Sequence, residues 1–313
     1  MSAIESEPVG SSTIGVELTP ELMRQRRGQL RLIFDRFMRN KVAVAGLILL
    51  VIMALGAILA VPITGTTATY QPAIDVHPAN ALADPSLQHL LGTDDVGRDE
   101  FARLLFGAQV SLLIGLFSML VAIVIGVAMG AVAGFLGGWV DALMMRITDV
   151  FLAVPLYLIL FVLSATFLSR GDVLSIVLLI AVFSWAATAR IVRGEFLSLK
   201  QHEFLLAART LGAGNLRLML RHILPNAAGP IIVSATLLVG NNIIVESTLS
   251  FFGFGLQPPT SSWGTMLAAS QPYVSIHPIL VFAPGLAILV TVLAVNLMGD
   301  GLRDALDPYM TER

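Results

Sequence analysis

Apolar residues gather along the chain into six long blocks, at 42–61, 110–134, 150–168, 173–189, 229–245 and 278–298. Each block is too long for a strand and lacks period-two alternation, which argues against a β-barrel. A helix needs about 20 apolar residues to cross a hydrocarbon core about 30 Å thick. Backbone groups in lipid must be paired within their own segment. The pattern therefore predicts an all-α integral membrane protein with a bundle of six transmembrane helices.

Composition agrees. Of 313 residues, 56 % are hydrophobic and 13 % charged, and mean hydropathy is +0.83. A soluble surface needs roughly 25 % charged residues. Net charge is −2, so nothing points to nucleic acid. The chain has no cysteine, which removes disulfides, thiolate metal sites and cysteine nucleophiles from consideration.

Basic residues set the expected orientation. Arg24, Arg26, Arg27, Arg31, Arg36, Arg39 and Lys41 precede the first span. Arg190, Arg193, Lys200, Arg209, Arg217 and Arg221 follow or end the fourth, and Arg146, Arg303 and Arg313 complete the set. Placing both termini in the cytoplasm leaves only Arg98, Arg103 and Arg170 outside, a strong positive-inside asymmetry. The domain reading is a cytoplasmic tail at 1–40, a first span at 41–61, an outer loop at 62–109, a five-helix core at 110–308 and a tail at 309–313. The tail is expected to carry a basic amphipathic helix near 30–38, lying on the inner leaflet.

Three connecting segments exceed what connection requires. The outer loop holds Gly92-Thr93-Asp94-Asp95-Val96-Gly97-Arg98-Asp99, followed by Glu100. Its carboxylate spacing does not fit an EF-hand, so it reads as a capped, solvated loop leading into a helix. The segment 250–277 carries Phe251-Phe252-Gly253-Phe254-Gly255 and Pro258-Pro259-Thr260-Ser261-Ser262-Trp263-Gly264. Gly and Pro forbid a straight helix there. Either it is a re-entrant, gate-forming segment or a plain aromatic anchor at the interface. In the third segment, within 195–226, Phe204, Ala207, Ala208 and Leu211 fall at i, i+3, i+4, i+7. Gly212 is placed as a C-terminal cap and Asn215 as the next N-cap. Leu216, Met219, Leu220, Ile223 and Leu224 form a second stripe, and Pro225, before Asn226, ends it. This short helix–glycine–helix is too small for its own core. Its apolar stripes must meet the bundle or another protein.

Catalytic chemistry is absent from the sequence. No Gly-x-x-x-x-Gly-Lys-Ser/Thr loop exists, so the chain is not expected to hydrolyse ATP itself. His202-Glu203 begins like a zinc-protease helix, but Leu206 stands where the second histidine belongs. The five histidines are dispersed. Asp149 is read as an i, i+3 partner of Arg146. Asn241-Asn242 interrupt the fifth apolar block and Glu246 follows it, which makes them, with Trp263, candidate gate or pathway residues. An ion-driven carrier would need a coupling carboxylate at mid-membrane, and Asp149 and Glu246 are the two available. Gly126, Gly130 and Gly134 repeat on one face of the second span, which permits close helix packing.

Ala207-Ala208-x-x-x-Gly212 followed by Leu224-Pro225 resembles the cytoplasmic loop of ABC-importer permeases. The stretches Gly92–Asp99 with Gly107 and Ser111-Leu112 after it, Asp141-x-x-x-Met145-Arg146-x-x-Asp149 with Pro155, Gln257-Pro258-Pro259-x-x-Ser262-Trp263-Gly264, and Asn296 to Pro308 resemble the dipeptide/oligopeptide/nickel branch. The long outer loop is similar to that of the C-type subunit. One position departs, since Leu206 stands where the family's loop carries glutamate; Glu203 lies one turn back. The resemblance implies a type I permease fold with a cytoplasmic coupling-helix pair at Glu203, Ala207, Ala208, Gly212, Leu224, Pro225 and Asn226. It implies a bacterial or archaeal cytoplasmic membrane and no cofactor on this chain, ATP–Mg being held by two partner ATPases. A second homologous permease and an extracytoplasmic solute-binding protein complete the implied assembly. The implied cargo is di- or oligopeptide, with nickel, glutathione or short sugars as alternatives.

Overall fold

The computed structural model describes residues 31–64, 78–167, 172–258 and 260–306, and these contain helices and no strand. Of the expected tail helix, residues 31–39 are helical (α1). Phe37 is buried beside Ala43 and Ala305, while Leu32, Phe34 and Met38 are exposed. The rest of the tail, part of the outer loop, Pro259 and the stretch 307–313 lie outside the described residues.

Asn40 opens α2 (Lys41–Ile58) by accepting a hydrogen bond from the Ala43 N–H at 3.2 Å. A short helix, α3 (Ala60–Thr64), follows. Asp99 caps α4 (Glu100–Leu136) in the same way, accepting from Ala102 N–H at 2.7 Å. Such a cap satisfies one of the orphan amides at a helix start. At 37 residues α4 is about 55 Å long. The expected second span, 110–134, lies within it, α4 starting ten residues earlier and ending two residues later.

The expected third span, 150–168, is not one straight helix. The chain forms α5 (Gly138–Ala153) and α6 (Leu156–Phe167), bent by 84°. The cause is Pro155, which has no N–H to donate and holds the preceding Val154 extended at φ −78°, ψ 131°. Among the described residues, five helices are long and apolar enough to cross a membrane, and the bent pair makes a sixth if taken as one span.

Asp172 opens α7 (Val173–Leu199), which runs ten residues past the expected span end. It lies parallel to α4, and this is the most extensive helix pairing in the fold. The glycine face of α4 allows it. A Cβ at Gly126 would sit 2.9 Å from Thr188 Cβ, and one at Gly134 would sit 2.6 Å from Phe196 Cβ. Small residues let helix backbones approach where lipid offers no hydrophobic drive. Beyond this seam come α8 (Glu203–Thr210), α9 (Asn215–Arg217), a π-helical stretch Leu218–Ile223 and α10 (Leu224–Asn226). The bundle is completed by α11 (Ala228–Phe251), α12 (Trp263–Ser270) and α13 (Ile279–Leu306). α11 packs on α4 and α13, and α13 packs on α2. A central cluster of Ile114, Leu160, Ile176, Ile180, Val245 and Leu249 joins α4, α6, α7 and α11.

Candidate functional site

At one end of the bundle, α8 to α10 fold back onto the last turns of α4 and α7. Leu205, Leu218 and Ile223 are buried there with Phe135, Val192 and Phe196. Lys200 Nζ donates to the Phe135 carbonyl at 2.6 Å, tying the two helix ends together. Gly212 reverses the chain at φ +84°. Its N–H donates to the Arg209 carbonyl at 3.0 Å, and the Ala213 N–H donates to the Ala208 carbonyl at 3.1 Å. That pair of bonds is the Schellman motif, and only glycine takes its left-handed position without strain.

Three expectations for this pair are corrected. Asn215 is the first helical residue and Gly214 holds the cap position, without a side-chain bond. Pro225 does not end the helix: it lies inside α10, and the break falls at Ala227. The apolar stripes also divide differently. Phe204, Ala207, Leu211, Leu216 and Leu220 are exposed, Ala208, Met219 and Leu224 are half-buried, and Leu218 and Ile223 are buried. The π-helical stretch explains the second stripe. Its repeat is near five residues, so Leu218 and Ile223 share a face, against the α-helical period. The widening directly precedes Pro225, which lacks the N–H an α-turn needs. Of the candidate coupling residues, Glu203, Ala207, Gly212, Pro225 and Asn226 lie on the open side, while Ala208 and Leu224 touch the bundle.

At the other end, α12 is folded back into the bundle against α4, α11 and α13. Trp263 is fully buried, and its Nε1–H donates to the Leu104 carbonyl at 3.1 Å. It therefore anchors the segment to protein, not to a membrane interface. Ser262 and Thr265 form a reciprocal capping box at the start of α12. Glu246 lies inside α11, five residues before its end, and is fully buried. Its carboxylate accepts from Ser250 at 2.8 Å, Ser111 at 3.2 Å and Ser247 at 3.3 Å. Ser111 in turn accepts from the Trp263 N–H at 3.2 Å, and Ser250 from the Leu256 N–H at 3.1 Å. Two amides of the folded-back segment thus reach one carboxylate through hydroxyl relays. Sequence reading picked out Glu246 and Trp263, and Ser111 only as part of the resemblance that follows the outer loop; Ser250 gave no signal of its own. The two asparagines do not interrupt α11. Asn242 is buried and accepts from Ser184 of α7 at 3.0 Å, whereas Asn241 is exposed.

The acidic turn before α4 is capped as expected and Asp95 is exposed, but Asp94 and Glu100 are buried. Asp94 is 3 % exposed and is held by Arg98 Nε at 2.5 Å and Arg103 at 2.6 Å. It also accepts from the Val96 and Arg98 amides. Among the described residues no group of three or more histidine and acidic side chains is placed to hold a metal. Asp149 pairs with Arg190 at 2.6 Å, not with Arg146, and Asp141 takes a bidentate pair from Arg193 at 2.5 and 2.6 Å. Both pairs fasten α5 to α7.

A multi-pass helical bundle with an exposed helix pair at one end and a latched segment at the other defines a membrane permease. Residues 122–312 match the family described as binding-protein-dependent transport system inner membrane component, and residues 28–85 match the N-terminal transmembrane domain of oligopeptide transport permease C. The chain belongs to this family of ABC-importer permeases. It is 39 % identical to the dipeptide transport system permease protein DppC of Alkalihalophilus pseudofirmus, over 88 % of this chain and 89 % of the relative. It is 41 % identical to the oligopeptide transport system permease protein OppC of Bacillus subtilis, over 88 % of each. It is 45 % identical to the glutathione transport system permease protein GsiD of Escherichia coli, over 72 % of this chain and 73 % of that one.

Proposed function

We propose that this chain forms half of the translocation pathway of an ATP-driven importer, with a second, homologous permease forming the other half. Two ATPase subunits dock on α8 to α10 from the cytoplasm, holding ATP–Mg between them. A solute-binding protein delivers cargo at the opposite face. Both termini lie in the cytoplasm in this reading, which the distribution of basic residues supports.

The observation that carries this reading is the helix pair itself. It is fastened by one face to the ends of α4 and α7, yet leaves large apolar side chains in the open. Closure of the ATPase pair on nucleotide moves the two docking sites together. The pair passes that motion to α4 and α7, whose glycine seam makes them one rigid unit. The bundle then exchanges access between the two faces.

The proposed cargo is a di- or oligopeptide, following the two relatives that match over most of the chain. A glutathione cargo is the second reading, favoured by the higher identity to the glutathione permease over a shorter stretch. The test is gentle purification of the tagged chain from its native membrane. A P-loop ATPase and a second permease in comparable amounts are expected, and the co-purifying binding protein is then screened with peptides and glutathione. A homo-oligomer without ATPase, active in proton- or sodium-loaded vesicles, would replace this reading with an ion-coupled carrier.

A further inference from the structure

An apolar groove runs along α4 beside the π-helical stretch. Its volume is about 430 Å³, and every residue lining it is apolar. Val124, Val127 and Val132 line it from α4, and Met219, Leu220 and Leu224 from the other side. The π-helical period creates that second wall. It turns Leu218 and Ile223 into the bundle and leaves Met219, Leu220 and Leu224 along the groove. Val124 is 68 % exposed and Leu220 55 %, so the groove is open to its surroundings.

Its dimensions narrow the occupant. From Ile123 to Val132, the first and last α4 residues in the groove, the helix rises about 14 Å. That is close to half of a hydrocarbon core about 30 Å thick, so the groove is one leaflet deep. Spread over that length, the volume is a channel about 6 Å across. A helix with its side chains is about 10–12 Å across and is too wide to lie in it. A single hydrocarbon chain is not. Walls without a polar group also suit hydrocarbon, because a hydrogen-bonding occupant would lose its partners there.

Charge beside the groove completes the ligand. Arg217 and Arg221 each precede a groove leucine by three residues, the spacing of neighbours on a helix surface. Both are exposed, and no ion pair among the described residues includes either. Unpaired arginines next to an apolar groove suit a lipid that carries both a chain and a phosphate.

We propose that the groove holds one acyl chain of an anionic phospholipid from the cytoplasmic leaflet, with its phosphate on Arg217 and Arg221. The choice of leaflet rests on the cytoplasmic placement of the helix pair in the reading above. A chain seated there touches both α4 and the π-helical stretch, and so packs the joint between them.

The full chain is purified with its partners in detergent, and phosphatidylglycerol or phosphatidylcholine of identical acyl chains is added. Bound lipid is counted by native mass spectrometry. The wild type is expected to prefer phosphatidylglycerol roughly thirtyfold, about fivefold for each arginine. Replacing both, Arg217→Gln with Arg221→Gln, is expected to bring the two lipids level. Ala128→Phe, which fills the groove from an exposed position, is expected to expel either lipid. Equal binding of the two lipids by the wild type, or undiminished binding by Ala128→Phe, would overturn the proposal. A second measurement is made in the native membrane. Because the chain has no cysteine, Val124→Cys gives it a single thiol for a photoactivatable maleimide. Adducts with phospholipid are expected. Adducts with a second permease instead would give the groove to that subunit and overturn the proposal. Arg217→Cys tests the placement separately. A water-soluble maleimide is expected to label it in inside-out vesicles and not in intact cells. Labelling in intact cells alone would overturn the cytoplasmic placement, and with it the proposed leaflet, whatever the lipid counts show.

Discussion

Replacing Gly212 with proline should leave the permease in the membrane and abolish coupled transport. The position has φ +84°, and proline is confined near −65°, about 150° away. Proline also removes the N–H that donates to the Arg209 carbonyl, a bond worth about 1 kcal/mol. A Cβ at this position would meet nothing within 4 Å, so an added Cβ brings no clash, and backbone conformation and the lost N–H remain. Alanine isolates the backbone component. It keeps the N–H and carries only the left-handed penalty, about 1–2 kcal/mol. The expected order is therefore wild type, then Gly212→Ala with reduced uptake, then Gly212→Pro with none. Of the turn only Ala208 and Ala213 touch the cluster around Phe135 and Phe196, whose buried core includes Val192, Leu205, Leu218 and Ile223, so membrane level and protease resistance of the bundle should persist. The assay is uptake and stimulated ATP hydrolysis by the full importer in vesicles, normalised to permease level. Normal uptake by correctly inserted Gly212→Pro would refute the reasoning, and so would equal damage from alanine and proline.

Glu246→Ala should lower thermal stability in detergent by about 2–4 kcal/mol, as three buried hydroxyls lose their shared partner, and Glu246→Gln should be milder; an unchanged melting temperature for the alanine variant would remove the latch role. Gly130→Leu should sharply reduce membrane-inserted protein, because even a Cβ there lies 2.8 Å from Val192 Cβ, and immunoblotting of membranes checks it. Ala207→Phe, on the open face, should weaken ATPase co-purification without changing stability. Ala208→Phe, against the bundle, should lower the melting temperature as well. In a double-mutant cycle, Asp141→Asn and Arg193→Gln should show coupling of about 1 kcal/mol or more, given the bidentate, partly buried pair.

The spans were legible because lipid imposes a long apolar run on every crossing element. The bend at Pro155 was less so. The proline was visible, yet a proline does not by itself tell a kink from a break, and Pro284 sits inside a continuous α13. The exposed helix pair was legible at Gly212, where backbone geometry favours one residue type. It was misread at Leu218, because a pattern assuming 3.6 residues per turn cannot register a π-helical stretch. Charge partners were the least legible. Asp149 lies three residues from Arg146 in sequence but meets Arg190, and the carboxylates of the turn at Asp94 looked like surface until Arg98 and Arg103 closed over them. Such pairings are set by the tertiary fold, which local spacing does not encode.

α4 ends in two very different neighbourhoods. Its first residues, Glu100 and Arg103, belong to the buried ion network, and Phe135 near its last turn belongs to the docking cluster. No proline lies between them. A rod about 55 Å long without a hinge behaves as a lever. A tilt of about 6° at one end carries the other through about 6 Å, more than one helical turn. Under the proposed coupling, a tilt imposed at the helix pair is therefore felt at the latched segment, and the close seam to α7 braces the rod. In such a machine, stiffness of the shaft sets the stroke, and a proline introduced near the middle of α4 would leave both ends intact but mechanically deaf to one another.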